Sequence, residues 1–197
     1  KLLLERDRKN GFNLPALLLS PDSTNKEQSA LIMVDENGKN ASMDRAISEV
    51  KKGHMVLLVD ISDTGEIKDK KQFLASWSQY FTAKFPLYEG KTLIAYRTED
   101  IIIAARYLLS NKMIDANKLS LISTGNTNYA ALHGAVISGY FSYVEINGEL
   151  KSWEARAAEP FISQQQLSLM DNLVPDVLNY YDIPDLQNMS REMQIKV

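Results

Sequence analysis

The stretch of this sequence most able to do chemistry is Leu119 to Gly134, LSLISTGNTNYAALHG. An apolar run is followed by a short polar turn and then by small and apolar residues at helical spacing, so the segment reads as strand, tight turn and helix. Such a bend lifts one side chain above the end of a sheet. From there it can attack a carbonyl carbon, while the first N–H groups of the helix face the oxyanion that develops. The residue at the bend is Gly125. Glycine has no side-chain atom, so nucleophilic attack from that position is excluded.

Two neighbouring hydroxyls are the alternatives, Thr127 and Ser123. Presenting Thr127 would require a shift of two residues, running the apolar strand through Thr124 and Gly125 and leaving Tyr129 where a small residue is needed. No catalytic residue can therefore be assigned. A base is missing as well: His54 stands before a strand and His133 inside the helix after the bend, and each reads as a structural histidine. Asp35, Glu36, Asp60, Asp63 and Glu66 lie near expected strand ends and could offer oxygen ligands to calcium or magnesium, but their spacing matches no cation loop. They read as solvated loop acids, with no metal site and no cofactor expected. Thr124 to Asn128 has one glycine and no lysine, which excludes a phosphate loop.

The elements that must position these residues follow from periodicity. Leu2 to Glu5 and Leu14 to Leu19 are β-prone runs flanking Asn10-Gly11, which predicts an N-terminal antiparallel hairpin. Ala30 to Val34 and Met55 to Val59 are continuous apolar runs of the kind buried on both faces. Met43, Ala46, Ile47 and Val50 fall at helical spacing between them, and Gly53 closes that helix. A second helix is expected from an N-cap at Thr98 through Ile101, Ala105 and Leu108, and Tyr143 to Ile146 reads as a further strand. The fold class is α/β, a mostly parallel sheet with helices on both faces. The stretches 61–91 and 161–186 read as excursions without strands; in the first, Phe73, Trp77, Tyr80, Phe81 and Phe85 are expected to be core.

Composition narrows the rest. The chain has 197 residues, 45% hydrophobic and 24% charged, which suits one globular domain over residues 1–197. A net charge of -3 with scattered Lys and Arg offers no basic stripe, so no nucleic-acid partner is expected. The absence of cysteine excludes disulfides and thiolate catalysis. No apolar run reaches the roughly 20 residues of a membrane helix, so no membrane span is expected. The start at Lys1 and a strand-like end over Gln194 to Val197 suggest a piece of a longer polypeptide, truncated at its C-terminus.

In order and spacing the chain resembles the α/β-hydrolase superfamily, and within it acetyl-xylan-esterase-like and dienelactone-hydrolase-like proteins. The likeness rests on Gly11 to Leu19 (GFNLPALLL), Val34 to Gly38 (VDENG) at the family's oxyanion loop, and His54 to Glu66 (HMVLLVDISDTGE), where the family writes D-x-R-G-x-G. Asp115 to Gly134 supplies the elbow, and Val177 to Leu186 (VLNYYDIPDL) is also similar. The family elbow is G-x-S-x-G, and Ser123, Gly125 and Thr127 occupy its positions. Ser62 and Asp63 replace the Arg and Gly of the second motif, whereas Asp60 and Gly65 are kept for a structural turn.

The resemblance implies an α/β-hydrolase-like domain that has lost ester hydrolysis and keeps a binding or structural role. The balance leans against an enzyme. Asp35, Glu36, Asn37, Asn126, Thr127 and Asn128 are the candidates for a ligand crevice, with a carbohydrate or acetylated polysaccharide as its expected occupant. The alternative is an active acetyl-xylan-esterase-type carboxylic ester hydrolase with a displaced nucleophile and a base outside this chain. A sheet lacking its last family strands would leave an edge for a second copy, or for a missing C-terminal segment, to pair with. The family likeness alone suggests a bacterial envelope or periplasm.

Overall fold

The computed structural model describes residues 1–6, 13–22, 28–68, 84, 86–159, 171–189 and 193–197. The Asn10-Gly11 turn and Phe73, Trp77, Tyr80, Phe81 and Phe85 lie outside the described residues. The described strands form one sheet of seven in the order β1-β2-β4-β3-β5-β6-β7. β1 (Leu2–Glu5) pairs antiparallel with β2 (Asn13–Leu19), as the hairpin reading predicts, and β2 pairs antiparallel with β4 (Met55–Val59). From β4 onward the sheet is parallel: β4 to β3 (Gln28–Asp35), β3 to β5 (Ile114–Thr124), β5 to β6 (Tyr143–Asn147) and β6 to β7 (Gln194–Lys196). β1 and β7 are therefore the two edges among the described strands, and the segment read as a beginning strand is paired along β6.

Helices cover both faces because the central strands are apolar on both. One core joins Ile32, Val34, Leu57, Val59, Leu119 and Leu121 to α2 (Leu93–Leu109) and α3 (Asn128–Ser138). On the opposite face Leu31, Met33, Val56, Leu58 and Ile122 pack against Ala46 of α1 (Met43–Lys51). Each such buried aliphatic side chain contributes roughly 1.5–3 kcal/mol, so alternation between the two cores fixes the register of every central strand. Of two short helices, α4 (Trp153–Ala157) precedes the later excursion and α5 (Ile183–Met189) begins at its end, and the excursion has no strand among its described residues.

The expected start of α2 needs correction. Thr98 is inside the helix, buried, and directs its hydroxyl to the Ala130 carbonyl at 3.4 Å. The cap is Thr92, whose side chain accepts from the Ala95 N–H at 3.1 Å. The apolar stripe of Leu93, Ile94, Ile101, Ala104 and Leu108 runs through Arg97, and the charge there disguises the first turn. A charged residue at a stripe position is the signal of a buried guanidinium.

Candidate functional site

β5 ends at Thr124, a single 3-10 turn carries Gly125 to Thr127, and α3 begins at Asn128. The turn sits at the C-terminal ends of the parallel strands, beside the loop that follows β3. Gly125 has φ of 76°, a left-handed backbone that strains residues with a Cβ. The space above it is not open. A Cβ at Gly125 would stand within 2.6 Å of the Cδ, Oε1 and Oε2 atoms of Glu36.

Glu36 reaches this position because the β3 loop is stitched to the bend. Its backbone N–H donates to the Thr124 carbonyl at 3.2 Å, and its Oε2 accepts from the Asn126 N–H at 2.9 Å. Asn126 follows the bend residue, and its N–H is the donor that would face an oxyanion in an elbow of this kind. A side-chain carboxylate thus occupies both the nucleophile's volume and one donor of the anion hole.

The other crevice candidates divide. Asn37 is exposed, whereas Asp35 is buried and its carboxylate is engaged by the Asn37 N–H at 2.9 Å and the Ser42 hydroxyl at 3.3 Å. Thr127 and Ser123 are both fully buried, with their hydroxyls 2.8 Å apart and Thr127 also donating to the Thr124 carbonyl at 3.0 Å. Thr127, expected as a crevice residue or a replacement nucleophile, has its hydroxyl tied to Ser123 and the Thr124 carbonyl. Asn128 is likewise buried, donating to the carbonyls of Asn147 at 3.0 Å and Glu149 at 3.4 Å, so it anchors the loop after β6.

Neither histidine approaches the bend with a base's geometry. His133 stands among aromatic rings, with Nδ1 2.6 Å from the Tyr129 carbonyl, Nε2 2.9 Å from the Tyr181 hydroxyl, and the Trp153 and Tyr181 ring centres each 5.8 Å from its own. Burial pushes its pKa below the ordinary histidine value, opposed by the hydrogen bond to the Tyr129 carbonyl. His54 lies at the N-terminal ends of the strands, hydrogen-bonded to Ser29 and 3.8 Å from Glu49, at the far end of the sheet from Gly125.

The D-x-R-G-x-G region is built around Asp60. Its Oδ1 accepts from the Lys39 N–H at 2.7 Å, and its Oδ2 from the Lys39 ammonium at 2.5 Å and the Glu66 N–H at 3.0 Å. Gly65, at φ of 52°, is pressed against this carboxylate, since a Cβ there would also fall within 2.6 Å of its three atoms. Asp63 adopts φ of 60° where the motif has glycine, a left-handed conformation that aspartate tolerates better than most residues. Among the described residues no group of three His, Cys, Asp or Glu is arranged to hold a metal ion, and Asp60 and Glu66 are engaged with Lys39.

The group that sequence reasoning missed is Arg97. It is wholly buried in α2, its Nε donates to the Ser62 carbonyl at 2.9 Å, and Nη2 stands 3.6 Å from the Asp63 carboxylate. A positive charge therefore still supports the Asp60 turn, supplied from a helix instead of from position 62. Among the described residues neither Nη1 nor Nη2 has a hydrogen-bond partner, although Nη2 faces the Asp63 carboxylate. Burial lowers the guanidinium's pKa, opposed by the charges of Asp171, Asp63, Asp100 and Glu36. Asp171 is buried too, and burial raises its carboxyl to about 6. Asp100 is held by the Ser62 N–H at 2.8 Å and by Arg6 at 3.3 Å.

No family model and no curated protein sequence matches the chain. Solved structures do. A candidate acetyl xylan esterase from Bacteroides fragilis matches over 98% of this chain with a TM-score of 0.81 at 16% identity. The chain has the α/β-hydrolase fold. An acetyl xylan esterase from a Paenibacillus species matches over 94% with a TM-score of 0.58 at 12% identity. A candidate dienelactone hydrolase from Klebsiella pneumoniae matches over 76% at 0.53 and 15%. The chain spans 57%, 63% and 61% of the lengths of these three α/β hydrolases, respectively. Within that fold the bend at Gly125 stands where strand β5 turns into its following helix, and the Glu36 loop follows β3.

Proposed function

We propose that this is a non-hydrolytic domain on an α/β-hydrolase scaffold, which binds a ligand at the C-terminal edge of the sheet without cleaving it. One observation carries the reading: the Glu36 carboxylate takes the Asn126 N–H and fills the volume that a side chain at Gly125 would need. A negative charge there opposes the formation of a second one, so the preorganised stabilisation on which acyl transfer depends is absent. The acetyl xylan esterases among the structures with this fold make an acetylated carbohydrate the ligand class to test first. An active esterase with a displaced nucleophile is less well supported, because Ser123 and Thr127 are buried and bonded to each other.

The test is acetate release from acetylated xylan and from an activated aryl acetate, measured with the native chain. The expected result is release no faster than buffer. Turnover that disappears on changing Ser123 or Thr127 to alanine would overturn the proposal.

A further inference from the structure

We infer that Ser29, at the opposite end of the sheet from Gly125, is a nucleophile that His54 activates and that takes the acyl group of a small activated ester. Ser29 lies near the start of β3, and His54 immediately precedes β4. The parallel register sets Ala30 beside Met55, so one step back Ser29 and His54 stand side by side, on the face that carries Leu31, Met33, Val56 and Leu58. That face is covered by α1, and Glu49 in its last turn completes the group. Ser29 Oγ is hydrogen-bonded to His54 Nδ1, and the Glu49 carboxylate stands 3.8 Å from Nε2, beyond the other side of the ring. The His54 backbone N–H donates to the Glu49 carbonyl at 3.2 Å, which ties the base to the helix end that carries the acid. With a hydroxyl on one ring nitrogen and a carboxylate beyond the other, an imidazole can take the nucleophile's proton and be stabilised as the cation it becomes.

The pair is open to solvent at the rim of the sheet: the His54 side chain keeps 34% of its surface and Ser29 is half-buried, which admits a small reagent. The sheet is also irregular at this point. Gln28 pairs with Ile114 of β5 but Ala30 with Leu119, so the register slips across Ser29, and irregularities of this kind re-aim side chains beside reactive sites. In the transfer, Ser29 Oγ bonds to the acyl carbon as the bond from that carbon to the leaving phenolate breaks. The hydroxyl proton passes to His54 Nδ1 and then to water, and the phenolate departs with the electron pair of the broken bond. Fast turnover would need donors preorganised for the oxyanion. Among the described residues the hydrogen-bond partner of the Ser29 hydroxyl is His54, so the acyl donor must bring a good leaving group and the acyl group stays where it lands. The site is separate from the Gly125 bend and stands whether or not a ligand binds there.

The experiment treats the full chain with 4-nitrophenyl acetate, follows the release of 4-nitrophenolate, and locates acetyl groups by peptide mass spectrometry. The expected result is a burst approaching one equivalent of 4-nitrophenolate, with the acetyl group on Ser29 and no continuing acetate release above buffer. Ser29→Ala should abolish the burst, whereas Ser29→Cys, which keeps a nucleophile beside the same base, should retain it. His54→Gln should slow it at least about a hundredfold, the lower range for loss of a general base, and His54→Asn serves as a second variant without that base. Glu49→Gln should slow it about fivefold, the effect of one partly exposed charge pair. Acetyl groups on lysines with Ser29 unmodified would overturn the inference, as would acetylation of Ser29 at an unchanged rate in a His54→Gln chain with the native melting temperature. Continuous acetate release that is lost on changing Ser123 or Thr127, but not Ser29, would overturn the non-hydrolytic reading alone.

Discussion

Two glycines in this chain each make room for a carboxylate, and the two acids are held in opposite ways. Asp60 against Gly65 is completely buried, accepts two backbone N–H groups and pairs with the buried Lys39. Glu36 against Gly125 is half-buried and accepts one N–H. The same local device, a left-handed glycine with an acid in place of its side chain, is tied by two backbone donors and a buried ammonium in one loop and by the Asn126 N–H in the other. What separates them is the number of donors and the cost of leaving a partner charge unpaired.

The largest effect should come from breaking the first pair. Asp60→Ala leaves the Lys39 ammonium buried with Glu66 as its remaining partner among the described residues, and should destabilise the fold by about 3–5 kcal/mol, measured by urea unfolding. A loss below about 1 kcal/mol would erase the distinction between the two sites.

A third buried carboxylate sharpens the contrast, because Asp171 has an oxygen with no hydrogen-bond partner among the described residues. Its folded-state pKa of about 6 lies above the ordinary 3.8, so the folded protein holds the proton more tightly than the unfolded chain does. The stability this group contributes is complete below about pH 4 and is lost as pH rises to about 6. Asp171→Asn should therefore stabilise by about 2–3 kcal/mol at pH 7, with the gain vanishing near pH 4. Unfolding curves at the two pH values decide it, and an equal gain at both would contradict this account.

Gly125→Ser places a Cβ into the Glu36 carboxyl on a left-handed backbone and should cost about 1–3 kcal/mol. Adding Glu36→Ala should recover part of that loss, and a double-mutant cycle reads the coupling. Additive losses would show that Glu36 does not fill the nucleophile's volume. The smallest effect is expected for Glu36→Ala alone, within about 1 kcal/mol of native, since a half-exposed acid with a single donor contributes little to folding.

Much of the scaffold was legible in the order of residues. Continuous apolar runs at Ala30 to Val34 and Met55 to Val59 could only be strands covered on both sides, and the sheet contains both. The empty nucleophile position was equally plain, since the identity of Gly125 needs no coordinates. The start of α2 was misread because the stripe from Leu93 to Leu108 contains Arg97, and a charge on an apolar face looks like a helix not yet begun. A hydroxyl near a bend looks available in the sequence; only the structure shows that of Thr127 buried and 2.8 Å from Ser123.

The sequence by itself determined that a strand, bend and helix are present at Leu119 to Gly134 and that the bend carries no nucleophile. Both follow from periodicity and from the absence of side-chain atoms, which are local properties. Only the tertiary structure decided what stands in that space. Glu36 is 90 residues from Asn126 in sequence, and their hydrogen bond exists because β3 and β5 are parallel neighbours ending side by side. Strand pairing of this kind depends on how the whole sheet closes its two cores, so no spacing within either segment can announce it.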